Sequence, residues 1–207
     1  MNKPNHTIAF FDTQFSRQAA AREYALNPFE QAALPFLSGE VLDLGCGLGN
    51  LALAAASQHC RVLALDASPS AVEDLTRRAR STGLPVEARR ADLRGHVPAR
   101  RFDSVVAIGL VMFFACPDAN ALIVRIRDAV RPGGVAVVNV LIEGTTFLGM
   151  FTPGDYCLFG EHALEDAFAG WTVEYLKFDV FPAPGETLKR FCTLIARRPA
   201  FDTDAPA

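Results

Sequence analysis

The ten residues from Val41 to Asn50 constrain this chain more than any others. Val41-Leu42-Asp43-Leu44 is a short apolar run that suits a buried strand, and Gly45-Cys46-Gly47-Leu48-Gly49 sets glycines at three alternate positions. Leu51 to Ser57 is small and apolar, fitting a buried helix. A strand that enters a glycine turn and leaves as a helix lets a ligand approach the backbone at the positive end of the helix. The third glycine falls one place too early for G-x-G-x-x-G, because Asn50 occupies the expected slot, and no Gly-Lys-Ser/Thr ending of a P-loop follows. The turn by itself leaves open which adenosine-type ligand it serves.

Downstream, the hydrophobic period keeps switching. Val62 to Leu65 reads as a second strand closed by Asp66, Val86 to Ala88 as a third, Phe102 to Ile108 as a fourth and Val135 to Val140 as a fifth. Between the second and third, Ser68-Pro69-Ser70 opens a helix, with Pro69 in the first turn and Ser70 to Glu73 spaced as a capping box. Val72, Leu75 and Ala79 share one face of it, and Gly83 can end it. Leu122, Ile123, Ile126, Ala129 and Val130 repeat at helical spacing until Arg131-Pro132-Gly133-Gly134 stops them. Such alternation on an apolar background predicts a parallel sheet covered on both faces. The chain ends differently: Thr172 to Phe181 and Lys189 to Arg197 are β-rich and joined by Pro182-Ala183-Pro184-Gly185-Glu186, which predicts a hairpin. The first forty residues predict one or two helices outside the sheet, with Phe11, Phe15, Tyr24 and Phe29 free to pack over something, and 199–207 predicts a frayed tail.

Half of the 207 residues are apolar, enough for one domain to bury a core without disulfides or metals. The net charge of −3 comes from nearly balanced acids and bases and argues against nucleic acid or an anionic membrane as partner. Arg77, Arg78 and Arg80, then Arg89, Arg90 and Arg94, have acids among them and no interleaved aromatics, so they read as solvated faces. Five scattered cysteines (Cys46, Cys60, Cys116, Cys157 and Cys192) without a CxxC fit a reducing compartment better than a disulfide framework. The first twenty residues are polar and broken by Pro4, and no apolar run is long enough to span a bilayer, so the expectation is a soluble cytoplasmic protein. His6, His59, His96 and His162 show no metal-ligand spacing, and no metal is expected.

Three acids sit where strands end. Asp43 would face the crevice in which a dinucleotide places its pyrophosphate; two negative groups would repel there, whereas an ammonium would be attracted. The plainer reading is that Asp43 ties down loop amides. Asp66 ends the second strand, where an acid can accept ribose hydroxyls or cap the next helix. Asp92-Leu93 follows the third strand, offering a carboxylate and an apolar face to an adenine ring, or simply a loop acid.

Taken together, LDLGCGLG from Leu42 to Gly49, Asp66, Ala91-Asp92-Leu93, Phe102-Asp103 ahead of a strand and RPGG before the next resemble, in kind and order, the class I S-adenosylmethionine-dependent methyltransferases. The resemblance covers roughly residues 38 to 140. It implies an α/β, Rossmann-like, doubly wound, mostly parallel seven-stranded sheet of order 3-2-1-4-5-7-6, last strand antiparallel, consistent with the hairpin. It divides the chain into an N-terminal helical cap (1–38), a cofactor-binding core (39–140), a variable lid (141–171) and the C-terminal hairpin (172–198). It implies S-adenosylmethionine as cofactor, contacted by Asp43, Gly45, Cys46, Gly47 and Asn50 at the first turn, by Asp66 and Ala67, by Asp92 and Leu93, and by Ile108 and Gly109. A narrower resemblance, to the tellurite-resistance branch, rests on Val111-Met112-Phe113-Phe114, Tyr156-Cys157-Leu158-Phe159-Gly160, Gly170-Trp171 and Arg190-Phe191-Cys192-Thr193-Leu194-Ile195-Ala196-Arg197. Some relatives there carry a His-Arg pair ahead of the last strand; here Lys189-Arg190 is the nearest basic feature.

A sulfonium is already a strong electrophile, so the enzyme's task is to align a nucleophile with the methyl group away from bulk water. Thiol, selenium or tellurium acceptors need little beyond positioning, whereas hydroxyls usually need a base. Gly109-Leu110-Val111-Met112-Phe113 lacks the Pro-Pro-aromatic signature that clamps amino groups, which turns the expectation away from amide and nucleobase substrates towards a small molecule. Met112, Phe113 and Phe114 are candidates for a substrate wall or for core. Tyr156 and His162 are better explained by packing and a helix start than as bases, and no catalytic base is assigned. The alternatives are a nicotinamide-dependent oxidoreductase and an inactive S-adenosylmethionine-binding protein.

Overall fold

The computed structural model describes residues 6–94 and 100–201; Pro4, His96 and the end of the tail, 202–207, fall outside them. Seven strands form one sheet: β1 (Glu40–Leu44), β2 (Arg61–Asp66), β3 (Val86–Arg90), β4 (Phe102–Ile108), β5 (Val130–Leu141), β6 (Thr172–Ala183) and β7 (Thr187–Arg197). Their order is β3-β2-β1-β4-β5-β7-β6, parallel except for β7, which runs antiparallel to β5 and β6. The apolar runs thus form a doubly wound sheet with a hairpin at one edge.

Because side chains alternate across a strand, each strand feeds two cores. Leu42, Phe102, Val105, Ala136 and Leu194 pack with Leu122 and Ile126 of α5 (Cys116–Ala129) and Leu164 of α6 (Ala163–Ala167). Val41, Val62, Val106, Val137 and Ile195 on the opposite face pack with Leu51, Ala52 and Ala55 of α3 (Asn50–Ser57) and Leu75 of α4 (Pro69–Thr82). Helices α1 (His6–Ala21) and α2 (Pro28–Ala33) precede β1. Asn27 caps α2 by accepting from the Phe29 and Glu30 amides, and the Glu30 carboxylate in turn accepts from the Asn27 amide.

The start of α4 corrects one expectation. Its cap is Ser68, whose hydroxyl accepts from the Ala71 amide at 3.1 Å, and Ser70 lies inside the helix. Pro69 fixes the first helical residue, so the cap falls one place before it. The Ser70 amide, expected within the box, donates instead to Asp12 of α1 at 3.1 Å. Gly83 ends α4 at a left-handed φ of 67°, as its position predicts. Arg131-Pro132-Gly133-Gly134 is not a separate stop: α5 ends at Ala129, and Val130 already pairs with Phe102 before the register shifts between Phe102 and Ser104.

The cysteine expectation is also corrected. Cys116, the first residue of α5, is disulfide-bonded to Cys157 of the segment between β5 and α6, 41 residues on, while Cys46, Cys60 and Cys192 are free and buried. Spacing along the chain could not reveal this, because the fold alone brings the two together. Cys157 also donates its amide to the Met112 carbonyl at 3.0 Å, and Ile142 bridges Phe159, so this segment is pinned to the core at three points. No helix among the described residues is long and apolar enough to cross a membrane. Closing a loop of this length by a disulfide is worth about 3–5 kcal/mol. Reductant is therefore expected to lower the thermal midpoint by several degrees, and Cys116→Ser/Cys157→Ser to melt at the reduced value with or without it. Identical parent midpoints in both conditions, followed by calorimetry, would contradict the bond.

Candidate functional site

A cavity of about 540 Å³ opens beyond the carboxyl ends of the parallel strands, where chain order reverses about β1. Every one of the sequence-derived candidates reaches it. Asp43, Gly45, Cys46, Gly47 and Asn50 come from β1, its turn and the start of α3, and Asp66 and Ala67 from the end of β2. Asp92 and Leu93 follow β3, and Ile108 and Gly109 end β4. Two of the glycines are fixed by contact. A Cβ on Gly47, at φ 52°, would lie 3.0 Å from the Phe15 ring, and one on Gly49, at φ 68°, would collide with Leu75. The third glycine thus lets α3 start against α4, while the second admits α1 over the turn.

The Asp66 carboxylate is buried and accepts from the Gly47 and Ser68 amides, each at 2.8 Å, joining the glycine turn to the start of α4. Burial nevertheless pushes its pKa up, the two hydrogen bonds opposing the rise. Asp43 has no such support. It is 5% exposed, and no donor among the described residues meets its carboxylate. Burial, with the charges of Glu30 and Asp66 in support, pushes its pKa up to about 8. The reading of Asp43 as a tie for loop amides is therefore not what the geometry supplies. Asn139 is fully buried on the same cavity: its Nδ2 donates to Thr193 at 2.8 Å, and its Oδ1 has no partner. A buried carboxylate on the cavity wall with no donor of its own is the complement of an ammonium group.

Other candidates are partly engaged. Arg94 forks onto both oxygens of Asp92, at 3.0 and 3.1 Å from its Nε, and holds that carboxyl below its usual range. The Asn50 side chain accepts from Arg78 at 3.1 Å. The Cys46 thiol is pushed well above its usual pKa by burial, so it is no nucleophile. Met112, Phe113 and Phe114 line the cavity, the first and last of them buried as well, which makes them wall and core at once. Tyr156 stacks on Phe151 at 4.6 Å between ring centres, and His162 is exposed and paired with Glu165 at 3.0 Å at the start of α6. Neither reaches the cavity.

Sequence reasoning gave the roof only as a helical cap with Phe11, Phe15 and Phe29 packing over something, and missed the far wall. Thr7, Phe11, Gln14, Phe15 and Gln18 of α1, with Phe29 and Glu30 of α2, cover the site, and Lys189 and Phe191 of β7 close one end. Burial also raises the Glu30 pKa. Asn139 did leave a signal, a polar residue inside the apolar run Val135 to Leu141.

Residues 41–134 match the methyltransferase domain family. The ubiquinone biosynthesis O-methyltransferase of Methylobacterium sp. (strain 4-46) is 34% identical over 122 residues, which are 58% of this chain and 47% of that one. Over its sheet core the chain is similar to the class I S-adenosylmethionine-dependent methyltransferases. The cofactor of this family is S-adenosylmethionine. The chain spans about half the length of the curated relatives it matches. Among solved structures, the protein studied for conversion of a disulfide bond into a thioacetal group during echinomycin biosynthesis is 25% identical, with a TM-score of 0.65 over 86% of this chain and 84% of that one. TehB from Haemophilus influenzae shares the fold at a TM-score of 0.72 and 18% identity, over 84% of this chain and 63% of that one.

The buried carboxylates set a pH dependence. Asp43 loses its proton near pH 3.8 in the unfolded chain but near 8 in the ligand-free fold, so between these values the folded state binds more protons. Stability of the ligand-free protein therefore falls as pH rises through that window, by at most about 1.4 kcal/mol per unit for this group. Asp66 and Glu30 slope the same way. Asp43→Asn is expected to flatten the decline and raise the melting midpoint above pH 8. A variant that keeps the parent's slope in melts at successive pH values would refute the assignment.

Proposed function

We propose that this protein transfers the methyl group of S-adenosylmethionine to a small-molecule acceptor. The observation that carries the reading is the unpaired Asp43 carboxylate beside the glycine turn, which favours a cationic amino-acid group and opposes a pyrophosphate. The residues present fit the cofactor. Asp43 would accept from the methionine ammonium, and Gly45 and Gly47 would admit the chain against the turn. Asp66 keeps lone pairs for the ribose hydroxyls while it holds the loop, and Leu93 packs on the adenine beside Asp92. When bound, S-adenosylmethionine supplies an electrophilic methyl group on a sulfonium. Phe11, Phe15 and Phe113 exclude water from the space beyond it.

A soft nucleophile suits this space. Among the described lining residues there is no histidine or tyrosine, and Asp43, Asp66 and Asp92 are assigned to the cofactor. The narrower resemblance to the tellurite-resistance branch points the same way, as does a structural neighbour concerned with sulfur chemistry. A soft acceptor would need only to be held by these walls in line with that methyl group, its own lone pair making the new bond while sulfur would keep the pair of the old one. A neutral acceptor would lose its proton to solvent before it enters this space.

Calorimetry is expected to show a complex with S-adenosylhomocysteine that NADH does not displace, tightening as pH rises from 6 to 8 because Asp43 must ionise. Asp43→Asn and Asp66→Ala should each weaken it at least tenfold. Displacement by NADH, or unchanged affinity in both variants, would defeat the cofactor assignment. Labelled S-adenosylmethionine offered to thiols, selenite, tellurite and hydroxylated aromatics separates an enzyme from an inactive binder.

A further inference from the structure

The register of the sheet places a row of side chains on one face. Asp43 pairs with Val106, Val106 with Val137, Ile108 with Asn139, Asn139 with Thr193 and Leu141 with Phe191. Lys189 lies two residues before Phe191 on β7 and therefore shares its face. The row runs from the carboxylates at the glycine turn, across Asn139, to a lysine at the hairpin.

That end of the cavity is apolar and aromatic. Phe29 of α2 lies 4.8 Å from the Phe191 ring, Phe11 of α1 lies 4.9 Å from Phe113, and Leu141 and Met150 complete the wall. Among the described residues the cations lining the cavity are Arg94 and Lys189. Arg94 is taken by Asp92. Lys189 lies over the Phe147 ring, 4.8 Å from its centre, and no carboxylate among the described residues pairs with it. Neighbouring Arg190 is no substitute, since its guanidinium donates to the Glu143 carbonyl at 3.0 Å and packs on Gly144. A half-buried ammonium held by an aromatic ring and lacking a counter-ion gains most from a ligand anion.

Building on the methyl-transfer reading, we infer that Lys189 selects the acceptor: a small flat apolar acid whose carboxylate meets the Lys189 ammonium while its ring lies against Phe29, Phe113 and Phe191. The carboxylates at the glycine turn repel the acid group from the cofactor end, so the molecule enters with its nucleophile towards Asn139 and its charge towards β7. Lys189 acts on orientation and specificity and takes no part in bond making.

The probe is para-methylthiobenzoate, a product of such a transfer that carries no free thiol, compared with its uncharged methyl ester. Binding to the protein saturated with S-adenosylhomocysteine is followed by calorimetry. The acid is expected to bind at least tenfold more tightly than the ester. Lys189→Met is expected to bring the ratio close to one, Lys189→Arg to keep most of it, and S-adenosylhomocysteine affinity to stay within twofold in both variants. Equal binding of acid and ester by the parent, or no binding of either, overturns the inference. So does a loss of S-adenosylhomocysteine affinity in Lys189→Met, which would put the lysine on the cofactor's own carboxylate. If the parent does not bind S-adenosylhomocysteine at all, the methyl-transfer reading fails by itself. The acid-to-ester ratio of the free protein then still decides the role of Lys189.

Discussion

The Asp66 carboxylate, accepting from the Gly47 amide on one side and the Ser68 amide on the other, ties the glycine turn after β1 to the beginning of α4. A buried carboxylate is costly, and these two bonds offset part of the cost. The arrangement spreads outward from there. Ser68 donates its hydroxyl to Asp12 at 2.5 Å, which brings α1 across the crevice, and Phe15 then settles on Gly47, where a side chain would have blocked it. Asp12 is held below its usual pKa chiefly by that Ser68 bond, so it stays charged at the positive end of α4. One acid at a strand end thereby sets the shape of the turn, the start of a helix and the seating of the roof.

The cavity so formed breaks the rule that buried polar groups find partners, and does so in an ordered way. Asp43 and the Oδ1 of Asn139 are acceptors without donors, and Lys189 is a donor without an anion. Within an ordinary core each would be a defect of a few kcal/mol. On the walls of one cavity they describe its contents: positive charge at the glycine turn, negative charge at the hairpin, and apolar matter between. The same groups lower the stability of the empty fold, which is why its pH dependence reports on the site.

Much of this was legible from residues alone. The sheet followed from alternating periods, since β4 begins at Phe102 and ends at Ile108 as the apolar run does. The glycine turn and the three strand-end acids identified one wall because they are local in sequence and set by backbone geometry. The roof was not legible. Phe11, Phe15 and Phe29 announced only that something had to be covered, and nothing in α2 marks Glu30 as a cavity residue. Lys189 looked like one half of a basic pair until the register separated it from Arg190. The Cys116–Cys157 bond was missed for the same reason: α5 and β5 stand between the two residues in sequence, and only the fold returns the chain to the start of α5.

The two movable-looking walls of the cavity differ in how they are held. The segment after β5 is fixed by a covalent bond from Cys157, by its amide to the Met112 carbonyl and by the bridge from Ile142 to Phe159. Helix α1 buries only Thr7 among its described side chains, and its polar ties include Asp12 to Ser68 and Ser70, Ser16 to Ser70, and Thr7 to Thr152 at 3.3 Å. A segment with few fully buried side chains, whose ties are at most part-buried, opens below the global unfolding free energy. The disulfide-anchored wall holds Met112 and Phe113 beside the reacting space, where small displacements are most damaging. Helix α1 lies over both ends, with Phe15 on the glycine turn and Phe11 against Phe113, so the stiffer wall is the one beside the reacting space.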